Sequence, residues 1–335
     1  MPFDRSAGWS VGVEEELMLV DEQTFDLVPA ATQVLAGVAE SEPSPKQELL
    51  TSMLETTTGA CASTEEAGAR MRAERGKARE LLAPHGLRLL ASGSHPFATP
   101  EDQPIADEPA YVDFARFAGP AARRQAVCGL HVHVGMPDGD TALRVLEAVL
   151  PWLPVVLAVS ANSPFFRGKE TGLLSTRAEV LGTLPRSGAP PPLGSFAEWE
   201  ALMERWRAAG AIQRFTNAWW DARINPEFGT LELRMPDQPT DVERAEAIVA
   251  ALHRLVVRAA EGELRSPSAQ RADFSTNRFA ASRFGPKALL IWGDRRVAAG
   301  ELAGELGLDA SCEAERQLRH EGDLRALCAD LVARS

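Results

Sequence analysis

Apolar and polar positions alternate strictly near the start of the chain. In WSVGVEEELMLV, residues 9–20, Val11, Val13, Leu17 and Leu19 fall on one side, and Gly12, Glu14, Glu16 and Met18 on the other. That period of two predicts a strand. Glu15 falls among the apolar set, a blemish in the pattern. Pro29 opens a short helix expected over residues 29–40. KQELLTSMLETTTGACAS begins ambiguously and ends in β-prone threonines. Ser63-Thr64-Glu65-Glu66 supplies N-cap chemistry for a helix to about Leu82, stopped by Pro84 and Gly86. LRLLASGS reads as a strand, residues 98–110 as an acidic, proline-bearing loop, and GLHVHVGM (129–136) as a second strong strand. Gly139-Asp140-Thr141 starts an apolar helix. Residues 162–198 read as a long irregular segment, which inside a compact chain marks a functional loop or lid. FGTLELRMPD (228–237) is a third strand, Asp241 caps an amphipathic helix to about Ala260, and the remainder reads as helical.

Strands near the start, the middle and the later part of the chain, with helices between, predict one α+β domain over residues 1–335. Its sheet gathers distant segments, and the order lacks the βαβ alternation of a dinucleotide-binding fold. Composition narrows the partners. The formal charge of −12 argues against a general nucleic-acid binder. Cys61, Cys128, Cys312 and Cys328 lie far apart without CxxC spacing, as expected of reduced thiols rather than a zinc knuckle. MPFDRSAGWS does not read as a secretion signal, and the most apolar stretch, Val145 to Val159, is short and carries Pro151 and Pro154. The expectation is a soluble, cytoplasmic protein with no membrane partner.

Acidic residues on an otherwise apolar strand carry the chemistry. Glu14 and Glu16 sit two apart, so both carboxylates leave one face. An exposed edge strand with solvated glutamates would explain that pair alone. His131 and His133 repeat the design, although two hydrogen-bonded core histidines would also do so. A third strand places Glu232 and Arg234 opposite Leu231 and Leu233. Buried charges on three strands are costly unless they pair or bind metal. A carboxylate-lined cavity holding divalent cations accounts for all three. Glu48 and Glu55, seven apart, would share a face if their segment were helical, and a solvated stripe is the plain explanation. Oxygen ligands suit Mg²⁺ or Mn²⁺, ions that bridge nucleotide phosphates. Arg177, Arg186, Arg223 and Arg234 are candidates to neutralise moving phosphate charge. No GxxxxGK[ST] loop is present, so ATP would bind by another architecture.

The ordered set GVEEELMLVD, KQELLTSMLET, GSHPFA, CGLHVHVGMPD, LPRSGAPPP and WWDARINPEFGTLELRMPDQPT resembles the type 2 glutamate–cysteine ligase family, from about Gly12 to Gly285. These are small bacterial carboxylate–amine ligases. The resemblance implies a glutamine-synthetase-like catalytic fold: a curved, mainly antiparallel sheet forming a funnel, backed by helices. It implies ATP-dependent phosphorylation of the glutamate side chain to an acyl phosphate, which cysteine or another amine attacks to give a γ-glutamyl amide. Carried over to matching positions, Glu14, His131 and Glu232 hold the metal on the γ-phosphate. Glu16, Glu48 and Glu55 hold the metal beside the substrate carboxylate. His133 lies near the nucleotide phosphates, Arg234 stabilises the transferring group and Arg223 assists it. Ser175, Arg177 and Arg186 form the substrate-side loop. A homo-oligomer, most simply a dimer, is also implied. GSHP stands where the family commonly has GTHP, Ala110-Tyr111 where it has Arg-Tyr, and Asn277-Arg278-Phe279 where it has Asn-Arg-Trp. These departures leave the amine acceptor open. A metal-dependent hydrolase, and a non-catalytic nucleotide- or metal-binding protein of the same fold, are the alternatives; His253 and His320 are the histidines left for the former.

Overall fold

A computed structural model describes residues 3, 8–38, 44–268 and 270–335. Its strands, in chain order, are β1 (Val11–Asp21), β2 (Lys46–Gln47), β3 (Met53–Thr57), β4 (Leu87–Leu90), β5 (Leu130–Gly135), β6 (Phe165–Phe166), β7 (Lys169–Glu170), β8 (Ala222–Asn225), β9 (Thr230–Leu233), β10 (Leu289–Trp292) and β11 (Arg295–Ala298). Seven of them build the main sheet in the order β2-β3-β1-β5-β9-β8, with β4 beside the second half of β1. All its strand pairs are antiparallel. With the helices that surround it, this is an α+β fold.

Period-two alternation gives the sheet two unlike faces. Val13, Val132, Leu233 and Ala222 lie in register across four strands and are buried at 0–1% exposure. They pack with Leu146, Ile248, Val249 and Leu252 from the helices Gly139–Val149 and Val242–Ala260. Burying each such side chain is worth about 1.5–3 kcal/mol, so this face holds the sheet against its helices. The opposite face carries the ionisable residues.

Several elements differ from the pattern-based expectation. The helix expected over 29–40 covers Ala31–Leu35, and residues 39 and 40 lie outside the described residues. Glu48 and Glu55 do not share a helix: Glu55 is in β3 and Glu48 directly follows β2 in irregular backbone. Residues 162–198 contain the β6–β7 hairpin and a helix, Thr176–Leu181, which the mixed composition concealed. ARIN, within WWDARIN, forms β8, and the last third includes the β10–β11 hairpin, turned at Gly293 with φ +66°. The helix after Asp241 begins at Val242, but the Asp241 side chain bonds Arg334 and makes no capping bond. Helix Gly139–Val149 runs on through a 3₁₀ turn to Ser160. This stretch has the length and mean hydropathy (1.8) of a membrane span, yet 83% of it is buried in the protein. That burial marks a core element.

Candidate active site

Strand register assembles the ionisable face. Glu14 pairs with Thr57 on one side and His131 on the other, and Glu16 pairs with Glu55. His133 lies between Gly12 and Glu232, and Glu232 is opposite Arg223. His133 Nε2 stands 3.6 Å from Glu14. His131 Nδ1 is 3.4 Å from Glu14, and its Nε2 is 3.7 Å from Glu16. Both Nε2 atoms are buried without a hydrogen-bond partner. The His133 Nδ1 is engaged with Thr230 Oγ1 at 3.0 Å, which frees Nε2 as a ligand atom aimed into the site. Ligand atoms of Glu14, His133 and Glu232 lie within 4.8 Å of one another, a spacing that can hold a cation. His131 stands beside that group, between Glu14 and Glu16.

Arginines and one lysine surround the carboxylates. Arg223 grips Glu232 through Nε at 3.1 Å and Nη2 at 3.0 Å, while its Nη1 donates to Thr216 and Ala218 carbonyls. Arg234 adds a short ion pair to Glu232. Lys46, in β2, reaches Glu55 at 2.6 Å. Burial would raise the Glu232 carboxyl, but these two guanidiniums hold it far below its ordinary value. Burial likewise opposes, and His133 and His131 outweigh it, to hold Glu14 well below the carboxylate range. Burial and the Glu14 charge push Glu55 well up in spite of Lys46. Burial and the Glu16 charge push Glu48 up to about 7. His133 is raised because the Glu14 carboxylate overcomes desolvation, whereas burial and Arg234 lower His131. Uncompensated crowding therefore concentrates at Glu48 and Glu55, and a divalent cation would relieve it.

A cavity of about 230 Å³ opens beside this cluster and reaches Glu16, Glu48, His131, Arg177 and Arg234. Pockets for drug-sized ligands run to about 300–1,000 Å³, so this smaller cavity suits a small metabolite. Arg177 is 2% exposed, and its Nη1 and Nη2 donate to the carbonyls of Met235 and Arg234. Ser175 is fully buried, donates to Asp237 at 2.8 Å and caps the helix that carries Arg177. Arg186 adopts φ +59° and donates to the Asn217 carbonyl. Its guanidinium lies over the rings of Phe117, Trp206 and Trp219. Sequence patterns did not single out Lys46, Phe114, Gln125 or Asp237; no local periodicity marks them. Trp219 lines the cavity, whereas Trp220 is core. Cys128 is fully buried, and burial pushes its thiol well up, as for a small hydrophobe. His253 bonds the Trp9 carbonyl and His320 faces Asp330, so neither joins the cluster.

Comparison with known proteins adds an independent line. Residues 10–333 match the family described as Glutamate-cysteine ligase family 2. A candidate glutamate–cysteine ligase 2-3 of Rubrobacter xylanophilus is 40% identical over 324 residues, covering 93% of this chain and 88% of that protein. A candidate glutamate–cysteine ligase 2 of Mycobacterium avium is 32% identical over 362 residues, covering 99% and 95%. Among solved structures, a bifunctional glutathione synthetase from Pasteurella multocida superposes with TM-score 0.67 at 17% identity, over 97% of this chain and 47% of that one. A glutamate–cysteine ligase from Francisella tularensis in complex with AMP gives 0.60 at 12% identity, over 99% and 82%. At such identities the structural likeness is one of fold.

Proposed function

The chain belongs to glutamate–cysteine ligase family 2, a family of ATP-dependent carboxylate–amine ligases, and from that premise we propose that it joins glutamate to an amine through a γ-glutamyl phosphate. In this reading residues 1–335 act as a single catalytic domain. The observation that carries the proposal is the convergence of Glu14, Glu16, Glu55, His131, His133 and Glu232 on one sheet face beside a cavity.

The donor set fits Mg²⁺ or Mn²⁺. Two buried imidazole nitrogens lack partners, and several carboxylates are crowded beyond what Lys46 and the arginines neutralise. Glu14, His133 and Glu232 would hold one cation. Glu16, Glu48 and Glu55 would hold a second, with His131 between the sets. When bound, such ions draw charge from the γ-phosphate and align attacking and leaving oxygens.

The chain's own groups do the rest. A glutamate side-chain oxygen attacks the γ-phosphorus and ADP leaves with the electron pair of the broken P–O bond. Arg234, which faces the cavity, stabilises the equatorial oxygens as charge develops. Arg223 is a positioning residue: buried and tied to two carbonyls, it fixes Glu232 and through it Arg234. Arg177 and Arg186 would orient the substrate side, with Ser175 supporting the Arg177 helix. Apolar side chains around the cavity limit hydrolysis of the acyl phosphate.

The test is ADP release with ATP, Mg²⁺ and glutamate, with hydroxylamine present to trap the acyl phosphate and mass detection of γ-glutamyl hydroxamate. Metal- and ATP-dependent hydroxamate is expected, and Glu55→Gln should lower its rate at least 100-fold. Absence of both ADP and hydroxamate from folded, metal-supplemented protein would overturn the reading.

A further inference from the structure

Two edges close the ionisable face, and they close it differently. At the β8–β9 edge the positive charge is fixed. Arg223 and Arg234 meet the buried Glu232 with side chains only 7% and 18% exposed. Arg223 donates to both oxygens of that carboxylate and to two carbonyls besides. Its departure would strand a buried anion and break several hydrogen bonds at once.

At the β2–β3 edge the positive charge is a lysine. Antiparallel register sets Lys46 directly opposite Glu55, and Glu55 opposite Glu16, so all three side chains leave the same face. The backbone of this short strand is held. Ser44 Oγ accepts from the Thr57 N–H at 3.0 Å, and Gln47 pairs with Leu54. The Lys46 side chain is loose by comparison: it is 52% exposed and reaches the Glu55 carboxylate at 2.6 Å. A lysine ammonium is a strongly hydrated point charge on a flexible stem, so it returns to water without stranding a donor. The anions it faces cannot leave in the same way. Glu55 is buried, its charge opposed by that of Glu48, and Glu48 accepts from the Leu49 N–H.

Resting on the two-cation reading above, we propose that Lys46 is a displaceable counter-ion: its ammonium balances the Glu48 and Glu55 charges in the metal-free protein, and the second divalent cation binds by expelling it to solvent. A divalent ion brings twice the charge to the same carboxylates, so it wins the exchange, but its binding forfeits the lysine ion pair. At the Glu14, His133 and Glu232 group the arginines stay, and His133 Nε2 is already without a partner. The two cations therefore bind in separate steps, the second weaker than the first.

The test is isothermal titration of Mn²⁺ into metal-free protein without substrate, with bound Mn²⁺ counted by electron paramagnetic resonance. Wild type should show a tight step and a weak one. Lys46→Gln should tighten the weak step at least tenfold and leave the tight step within threefold. Lys46→Arg keeps the charge, so its weak step should be as weak as in wild type or weaker. Without metal, Lys46→Gln should also have the lower Tm, and saturating Mn²⁺ should erase that difference. A surface ion pair that does not compete with metal would not give this pattern. A weak step unchanged or weakened in Lys46→Gln overturns the proposal. Equal tightening of both steps also overturns it, because that marks a general loss of positive charge. A single Mn²⁺ bound by wild type and Lys46→Gln alike removes the second cation and the proposal with it. No turnover is measured, so each of these failures is distinct from failure of the ligase reading, which the hydroxamate assay decides.

Discussion

Glu15 sits on the apolar face of β1 at 1% exposure, where an unpaired carboxylate would be prohibitive. Arg75, from the helix Thr64–Leu82, answers it through Nε at 3.1 Å and Nη2 at 2.7 Å, and Gln238 donates at 2.8 Å. The same guanidinium donates to the Thr240 and Pro239 carbonyls, so one ion pair ties strand, helix and the segment before Asp241. Glu15→Gln should lower unfolding free energy by about 3–5 kcal/mol in urea titration, because a buried cation loses its counter-charge. His95, in GSHPFA, is a second structural residue: its Nε2 meets the Phe25 carbonyl at 2.8 Å and its Nδ1 accepts from Ala98 at 3.0 Å. Burial lowers it to about 4, against the hydrogen bond to Phe25. The unfolded chain therefore takes up a proton near pH 6.5 that the folded protein refuses until about pH 4. This contribution to stability is intact above pH 6.5 and is lost as pH falls toward 4, amounting to about 3 kcal/mol. Urea titrations of wild type and His95→Gln at pH 7 and pH 4.5 should show the steeper loss in wild type.

At the scale of elements, Gly129 joins β5 to both walls of the site. Its N–H donates to Glu16 Oε2 at 2.6 Å, and its carbonyl accepts from the Glu16 N–H at 3.2 Å. A Cβ there would lie 2.5 Å from Arg177 Cζ, and that guanidinium is pinned by two carbonyls. Gly129→Ala should displace Arg177, cost about 1–3 kcal/mol of stability and raise KM for glutamate at least tenfold in the ADP-release assay. Wild-type KM in this variant would show that Arg177 does not need its place. Strands β1, β5 and β9 were legible because a buried face and a functional face impose strict alternation on each. β8 was not, since ARIN is buried on both faces and shows no alternation. The helix Thr176–Leu181 was hidden for a different reason. It is six residues long, capped by Ser175, and held by buried bonds to Asp237 and Ser163 rather than by its own periodicity.

For the whole molecule, the formal charge of −12 would repel a nucleotide unless arginines and metal gather at one place, and the fold supplies that place. Mn²⁺ at a hundredfold excess over its Kd should stabilise the protein by about 2.7 kcal/mol, seen as a rise in Tm by scanning calorimetry. Glu14→Gln should lose most of that rise, and a wild-type Tm indifferent to Mn²⁺ would sink the cation assignment. The sequence by itself determined which side chains share a strand face: Glu14 with Glu16, His131 with His133, Glu232 with Arg234. Backbone pleat alone dictates that period, and motif order carried the family. Tertiary structure alone decided which of these side chains meet. Register sets His133 between Gly12 and Glu232, so the Glu14–His133–Glu232 group forms, with His131 beside it between Glu14 and Glu16. It also supplied Arg75 for Glu15, Lys46 for Glu55, and Phe114 and Trp219 for the cavity wall. Those partnerships depend on how strands align and how helices pack over them, and a local pattern of hydrophobic spacing holds no information about either.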